Sequence, residues 1–185
     1  MALDAIRDQA EAVEVLRRAI GSGRVAHAWA FIGPNGVGRR TTALAFARAL
    51  VAPSGGAAAG RVDRGLHPDV HLVGPTPPVS NPKGTAAIRV DNIRELERLA
   101  ALKPAEAPWK VFIVDEAETM TGAAPQAFLK TLEEPPARTV IILILNQARA
   151  LPATVLSRCQ IVRFRPRAAD GVVALLPPGA GPERE

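Results

Sequence analysis

The sequence predicts an α/β fold in which helices cover both faces of a parallel β-sheet. Three observations indicate this class: the strand-like segments are apolar throughout, helical segments separate them, and a glycine-rich loop joins the first strand-like segment to a helix. The chain has 185 residues, of which 48% are hydrophobic, and this length suits one well-buried domain. We therefore expect a single core.

The N-terminal part of the chain is predicted to contain a helix, a strand and a second helix. In residues 8–20, Ala10, Val13, Leu16 and Ile20 recur three or four positions apart, and the sequence GSG then ends the helix. The apolar run HAWAFI is predicted to be a strand and ALAFARALV a helix, and the glycine-rich loop lies between them. This order is the one in which a loop can cradle a nucleotide phosphate.

The remaining elements continue the alternation. Residues 51–68 are rich in Gly, Ala and Pro and are interpreted as a flexible surface connection, followed by the short strand DVHLV. After the loop GPTPPVSNPKGTA, Asp91 is predicted to cap a helix that carries Ile93, Leu96 and Leu99 on one side. Three β-branched runs complete the sheet, WKVFIVDEA, TVIILILN and QIVRFRP, separated by a helical segment and the turn-prone QARALPATVLSRC.

Composition limits the possible functions. A net charge of +5 and a pI near 10.3 tolerate an anionic partner such as nucleic acid, although the arginines are spread along the chain. The single cysteine, Cys159, excludes an internal disulfide and a cysteine-based zinc site. The N-terminus has no apolar signal region and no run is long enough to span a bilayer, so we expect a cytosolic protein.

The glycine-rich loop departs from the phosphate-binding formula at two positions. The formula requires Lys and then Ser or Thr after the last glycine, but Gly38 is followed by Arg39 and Arg40. A guanidinium does not replace a compact ammonium in a tight loop, and Arg40 has no hydroxyl for Mg²⁺. Thr41 is turned about 100° around the helix from the metal-facing position. Two interpretations stay open: a turn without a ligand, and weak nucleotide binding without hydrolysis.

Polar residues follow the later strands. Asp115 and Glu116 end the run VFIVDEAE, where an Asp can hold Mg²⁺ through water and a Glu can polarise an attacking water. Asn146 ends the next strand and could orient a water or a phosphate. The alternative is that all three simply mark where buried strands meet solvent. The sequence His67-Pro68-Asp69 is interpreted as a turn rather than a metal site.

Arg158 precedes the last predicted strand. It can be a surface cation, an ion-pair partner at the sheet edge, or an arginine finger presented to a phosphate on another subunit. The residues alone favour the surface cation.

The order of these motifs resembles a known family. The runs GPNGVGRRT, AIRVDNIREL, VFIVDEAETM, FLKTLEEPPARTVIILILN and LPATVLSRCQIVRFRP, over roughly residues 5–168, are similar to the AAA+ domain of bacterial clamp-loader subunits of DNA polymerase III, most closely those of delta-prime type. The resemblance implies a P-loop NTPase-like AAA+ domain at residues 1–167, with a five-stranded parallel sheet flanked by helices. It also implies a pentameric ring with gamma/tau and delta subunits that loads the sliding clamp on primed DNA.

The resemblance further implies roles for individual residues. Many delta-prime members have lost hydrolysis, so intrinsic ATPase activity is not expected, although the chain would be part of a DNA-directed DNA polymerase holoenzyme. Arg158 matches the arginine that the family offers in trans to a neighbouring ATPase subunit. The matching residues of a vestigial ATP site are Gly33, Gly36, Gly38, Arg39, Arg40, Thr41, Asp115, Glu116 and Asn146.

Two departures from the family limit what can be carried over. The four zinc-binding cysteines that usually follow the P-loop helix are absent, so we predict no zinc and no required cofactor, with weak ATP or ADP binding with Mg²⁺ left open. Family members also continue into a helical lid and a collar. Residues 168–185 are therefore expected to be either disordered or the start of a missing lid domain.

Two other functions stay open. One is an active ATPase of gamma/tau type, and the other is a DNA-binding AAA+ module outside the polymerase. For DNA contact the candidates are Arg94 and Arg98, which lie four residues apart on one helix face. In each case the expected location is the cytoplasm, in association with the nucleoid, without a membrane partner.

Overall fold

The computed structural model describes residues 2–166. The predicted boundary at residue 167 and the predicted tail at residues 168–185 lie outside the described residues. No helix within residues 2–166 combines the length and the apolar character needed to cross a membrane.

The centre of the fold is a five-stranded sheet with all its strands parallel. The strand order is β2-β3-β4-β1-β5, so β1 lies between β4 and β5 and the two edges are β2 and β5. The prediction of a parallel α/β fold with five strands is confirmed. The strands are β1 (Ala28–Ile32), β2 (Val70–Val73), β3 (Lys110–Val114), β4 (Thr139–Leu145) and β5 (Gln160–Arg163).

Helices connect the strands in the order that the sequence predicts. Helix α1 ends at a glycine in the left-handed region, Gly23, with φ of 68°. Short 3₁₀ turns lie at Ala2–Ala5, Ala117–Thr119 and Ala148–Ala150. The helices are α1 (Ala10–Ser22), α2 (Arg39–Val51), α3 (Gly56–Asp63), α4 (Val90–Ala100), α5 (Ala124–Glu133) and α6 (Ala153–Leu156).

Buried side chains form one core layer on each face of the sheet. Alternate residues of a strand point to opposite faces, so Trp29 and Phe31 of β1 pack against α1 and α2, where the Trp29 ring meets Phe46 edge-on at 5.2 Å. On the other face Phe112 of β3 packs with Phe128 of α5. Strands covered on both sides need no polar alternation, which explains the continuous apolar runs.

The prediction of a flexible connection at residues 51–68 is wrong. Residues Gly56–Asp63 form α3, and Ala59 and Val62 on its inner side are each 1% exposed. These two residues are three positions apart, which places them on one helix face against the core. The alanines favour a helix, and the glycines that suggested a loop lie mainly at the start of α3.

The predicted cap of α4 is also wrong. Helix α4 begins at Val90 with Arg89 as its N-cap, and Asp91 lies in the first turn. The side chain that satisfies the helix start is Asn92, whose Oδ1 accepts a hydrogen bond of 2.8 Å from the Arg89 N–H. The inner face is as predicted, because Ile93 and Leu96 are buried.

The segment His67-Pro68-Asp69 forms a turn before β2, as predicted, and His67 and Asp69 are buried. Asp69 is fully buried, and its carboxylate accepts hydrogen bonds from the backbone N–H groups of Ala105, Glu106 and Ala107 at 2.6, 2.9 and 2.9 Å. His67 Nδ1 accepts the Asp69 N–H at 3.1 Å. Asp69 therefore fastens the loop before β3 to the start of β2.

Candidate functional site

The glycine loop connects β1 to α2 with a backbone that needs glycine. Gly36 and Gly38 have φ of 80° and 93°, in the left-handed region that other residues rarely adopt. Gly33 is required for a different reason, because a Cβ there would lie 2.5 Å from the carbonyl oxygen of Phe164. The loop is thus pressed closely against the end of β5.

A buried amide holds the loop in this position. Gln9, which is 4% exposed, forms a reciprocal pair with Arg165: its Nε2 donates to the Arg165 carbonyl at 2.8 Å, and its Oε1 accepts the Arg165 N–H at 3.1 Å. The same Nε2 donates to the carbonyl of Val37 in the glycine loop at 3.3 Å. One side chain therefore joins the loop to the segment that follows β5.

Arg39 lies in the lysine position of the loop and is 9% exposed. Its Nη2 donates to Oδ1 of Asn35 and Oδ1 of Asn146, both at 2.7 Å, while its buried Nη1 has no hydrogen-bond partner within residues 2–166. Burial lowers the pKa of Arg39 from its ordinary value, and the carboxylates of Glu118 and Asp115 oppose that shift. The guanidinium stays charged at neutral pH and is held inside the site by two amide oxygens.

Arg40, in the Ser/Thr position, binds the carboxylate that was predicted to hold Mg²⁺. Its Nη1 lies 3.0 Å from Asp115 Oδ2, and the Asp115 side chain is 17% exposed. Asp115 Oδ1 also accepts the Glu116 N–H at 3.1 Å. The acid at the end of β3 is therefore already satisfied by this chain's own groups.

A polar cleft of about 340 Å³ lies at the carboxyl ends of β3 and β4, and Arg39 lines it. Glu116 has φ of 51°, an uncommon conformation for a residue other than glycine and one that is typical of functional sites. Glu118 contributes a buried Oε2 without a hydrogen-bond partner among the described residues. The cleft is lined by Asn35, Arg39, Asp115, Glu116, Glu118, Ile144 and Asn146.

These residues do not fit a magnesium nucleotide. The Arg39 side chain is hydrogen-bonded to Asn35 and Asn146 where a compact ammonium would be needed, and Asp115 pairs with Arg40. The backbone cradle is retained, but the side chains that complete such a site are replaced.

The structure assembles most of the residues that the sequence predicted. Arg39, Arg40, Asp115, Glu116 and Asn146 lie together beside the glycine loop. Thr41 does not join them, because it lines a separate cavity of about 390 Å³ with the N-terminal 3₁₀ turn.

Sequence reasoning missed two polar residues of the cleft. Asn35 lies within the glycine loop four residues before Arg39, and Glu118 lies three residues after Asp115. Each residue lies close to a motif in the sequence, and that proximity was the available signal. Whether its side chain lines the cleft depends on the orientation of the Arg39 side chain, which the sequence does not show. Within the described residues no three His, Cys, Asp or Glu side chains cluster as metal ligands would.

Arg158 lies near the amino end of β5, at the opposite end of the strands from the glycine loop. It follows α6 and precedes β5, whereas the glycine loop adjoins the far end of that strand. Its Nη1 donates to the Thr154 carbonyl at 2.7 Å and its Nη2 to Glu133 Oε1 at 2.6 Å, and the side chain is 35% exposed.

Burial raises the pKa of the adjacent Cys159 to about 12, so that thiol stays protonated at neutral pH.

Arg94 and Arg98 lie on the exposed side of α4, as predicted. Arg94 pairs with Asp91 at 3.3 Å and Arg98 with Glu95 at 2.7 Å. Both guanidinium groups are thus partly neutralised by acids one helical turn earlier.

The chain is similar to several known proteins. A family model described as "DNA polymerase III, delta subunit" matches residues 8–168. The delta' subunit of DNA polymerase III from Bacillus subtilis is 33% identical over 165 residues, covering 85% of this chain and 48% of the relative. The tau subunit from the same organism is 30% identical over 173 residues, covering 89% of this chain and 29% of the relative. The chain spans about half or less of the length of these relatives.

Solved structures show the same architecture. A gamma subunit-related protein of DNA polymerase III from Thermotoga maritima is 26% identical with a TM-score of 0.62, over 85% of this chain and 47% of that one. The Holliday junction branch migration motor RuvB from the same organism is 16% identical with a TM-score of 0.51, over 85% of this chain and 43% of that one. The second likeness concerns the fold alone.

Proposed function

We propose that this chain, which belongs to the DNA polymerase III delta-subunit family of AAA+ clamp-loader proteins, acts as a clamp-loader subunit of delta-prime type that does not hydrolyse ATP itself. The observation that carries the proposal is that the side chains of Arg39 and Arg40 are hydrogen-bonded to neighbouring side chains beside the glycine loop. Arg39 is held by Asn35 and Asn146, and Arg40 binds Asp115. The residues that would position a phosphate and its metal are thus hydrogen-bonded to side chains of this same chain.

The physical reason is the number of groups that must act together. Phosphoryl transfer depends on a positioned cation at the phosphates, a metal and an oriented water. Here a planar guanidinium replaces the ammonium, an arginine replaces the metal-binding hydroxyl, and the acid at the end of β3 has a cation as its partner. An active gamma/tau-type ATPase is the second candidate, supported by the 30% identity to a tau subunit, and it would need Arg39 to act as the lysine does.

In the proposed function the partners are the gamma/tau and delta subunits, and through them the sliding clamp and primed DNA, in the cytoplasm beside the nucleoid.

The contribution of this chain to chemistry is Arg158, offered in trans to the ATP of an adjacent subunit. Its position supports this role, because a guanidinium at the entry to an edge strand is far from its own glycine loop and 35% exposed. Such a finger stabilises charge that develops in the transition state and contributes about 10³-fold or more in rate.

The test is Arg158→Ala in the full-length subunit, assembled with its partner subunits. Assembly and folding should be unchanged, while ATP hydrolysis stimulated by primed DNA and the clamp should fall strongly. Arg158→Lys should restore only part of the rate, because an ammonium lacks the planar fork. Arg149→Ala removes an exposed arginine from the preceding connection and is the matched control. An alanine variant that assembles and hydrolyses ATP at the unmodified rate would reduce Arg158 to a surface cation.

A further inference from the structure

We infer that Glu133 is a positioning residue for Arg158, holding its guanidinium in the orientation from which it reaches a phosphate on the adjacent subunit. This inference rests on the proposed function of Arg158. It adds a residue from a different helix, whose effect would be exerted entirely through the arginine.

Two elements meet at this pair. Glu133 is the last residue of α5, and Arg158 follows the end of α6. The carboxylate receives Nη2 at 2.6 Å, while Nη1 donates to the Thr154 carbonyl of α6 at 2.7 Å. The guanidinium is thus fixed at two of its nitrogens by partners on two different helices.

The end of α5 fixes the carboxylate in turn. The residue after Glu133 leaves the helical conformation, with φ of −124° and ψ of 68° at Glu134, and Pro135 and Pro136 then follow. Proline cannot continue a helix, so α5 has a defined last residue. The carboxylate that Arg158 meets therefore stands on a rigid element rather than on a loop.

The pair leaves the arginine able to act. A guanidinium carries five N–H groups, and the two hydrogen bonds engage only two of them. The side chains of Arg158 and Glu133 are 35% and 50% exposed, so water screens their attraction and a phosphate can compete for the remaining donors. What the pair supplies is restricted rotation of a long side chain, which otherwise loses this freedom when it binds.

The experiment uses the full-length subunit assembled with its partner subunits, with ATP hydrolysis measured in the presence of primed DNA and the sliding clamp. Glu133→Ala should lower the turnover rate about 3- to 10-fold, the loss expected when one side chain must be ordered during the reaction. Glu133→Gln keeps an acceptor oxygen and should lose less. Glu134→Ala removes the adjacent exposed carboxylate and should leave the rate unchanged.

The decisive comparison is the double variant. If Glu133 acts through Arg158, then Glu133→Ala should cause no further loss in the Arg158→Ala background, whereas a merely structural role would lower both backgrounds equally. An equal loss in both backgrounds, or no loss from Glu133→Ala beside a large loss from Arg158→Ala, would overturn this inference alone. No loss from Arg158→Ala itself would overturn the proposed finger.

Discussion

Arg39 and Asn146 are joined by a hydrogen bond of 2.7 Å from the guanidinium Nη2 to the amide Oδ1. This bond ties the first residue of α2 to the residue that follows β4, and both residues line the polar cleft. The arginine is 9% exposed, and one of its nitrogens already lacks a partner among the described residues. Removing a further hydrogen-bond acceptor from this buried guanidinium should therefore destabilise the folded protein.

We predict that Asn146→Ala lowers the free energy of unfolding by about 1–3 kcal/mol, because it removes an acceptor from a buried cation. The measurement is urea denaturation of the purified chain. Gln147→Ala, at the adjacent exposed position, is the control and should change stability by less than about 0.5 kcal/mol.

Arg39→Met supplies a second test of the same bond. Replacing a buried charge by an apolar side chain of similar length is often neutral or stabilising, and in that background Asn146→Ala should cost less than it does alone. An equal cost in both backgrounds would show that Asn146 stabilises the fold without Arg39.

We predict that restoring the loop formula with Arg39→Lys and Arg40→Thr strengthens nucleotide binding about 10-fold or more. The lysine supplies a compact cation, the threonine supplies a hydroxyl, and Asp115 is released from Arg40. Titration of a fluorescent ATP analogue with and without Mg²⁺ measures the change, with Arg149→Lys as the control. Turnover by the unmodified chain of roughly 1 s⁻¹ or more that disappears in Asp115→Ala would contradict the proposal that this chain does not hydrolyse ATP.

We predict that any DNA contact made by α4 comes from Arg94 and Arg98. Replacing both by alanine should then reduce the slope of log affinity against log salt by about 2, since each phosphate contact releases about one counterion. Fluorescence anisotropy with labelled primed DNA measures this slope. Arg17→Ala with Arg18→Ala removes two exposed, ion-paired arginines from α1 and is the matched control. Affinity that does not depend on salt, or that the α4 variant retains in full, would exclude the contact.

Asp69 gives a prediction about pH. Burial raises its pKa, but hydrogen bonds from the backbone of Glu106, Ala105 and Ala107, together with the nearby His67, outweigh that effect, and the pKa lies below its ordinary value. A depressed pKa contributes stability that is present above the unfolded value of about 4 and is lost as the pH falls through the folded pKa.

Asp69→Asn should therefore cost about 1–3 kcal/mol at pH 7, because an amide cannot accept all three hydrogen bonds, and this difference should shrink below pH 4. Thermal unfolding of both proteins between pH 7 and pH 3 measures it. Asp91→Asn, at an exposed position, serves as the control. A cost for Asp69→Asn that does not change with pH would show that the charge of the carboxylate is not what matters.

The sequence predicted the sheet well because burial on both faces leaves a strong local signal. The apolar runs around Phe31, Phe112 and Ile142 have no alternation, and each became a central strand. The errors arose where composition and packing disagreed. Residues 56–63 contain two glycines and a tertiary contact that composition cannot show, so a helix buried at Ala59 was interpreted as a loop.

The candidate site could be predicted in its members but not in its contacts. Spacing along the chain located Arg39, Asp115 and Asn146 at the carboxyl ends of the strands, which lie side by side in a parallel sheet. That Arg40 would bind Asp115 depends on the rotamer of a long side chain, which no pattern encodes. The pairing of Arg158 with Glu133 joins residues 25 positions apart and depends on how α5 and α6 pack.

The reciprocal pair between Gln9 and Arg165 has a mechanical consequence. Moving Arg165 away from α1 would break two hydrogen bonds to a buried amide, at a cost of about 1–3 kcal/mol for each group left unsatisfied, unless Gln9 moved with it. A Gln9 that moved would also lose its hydrogen bond of 3.3 Å to the Val37 carbonyl in the glycine loop. The positions of the glycine loop and of the segment that follows β5 are therefore coupled through the side chain of Gln9.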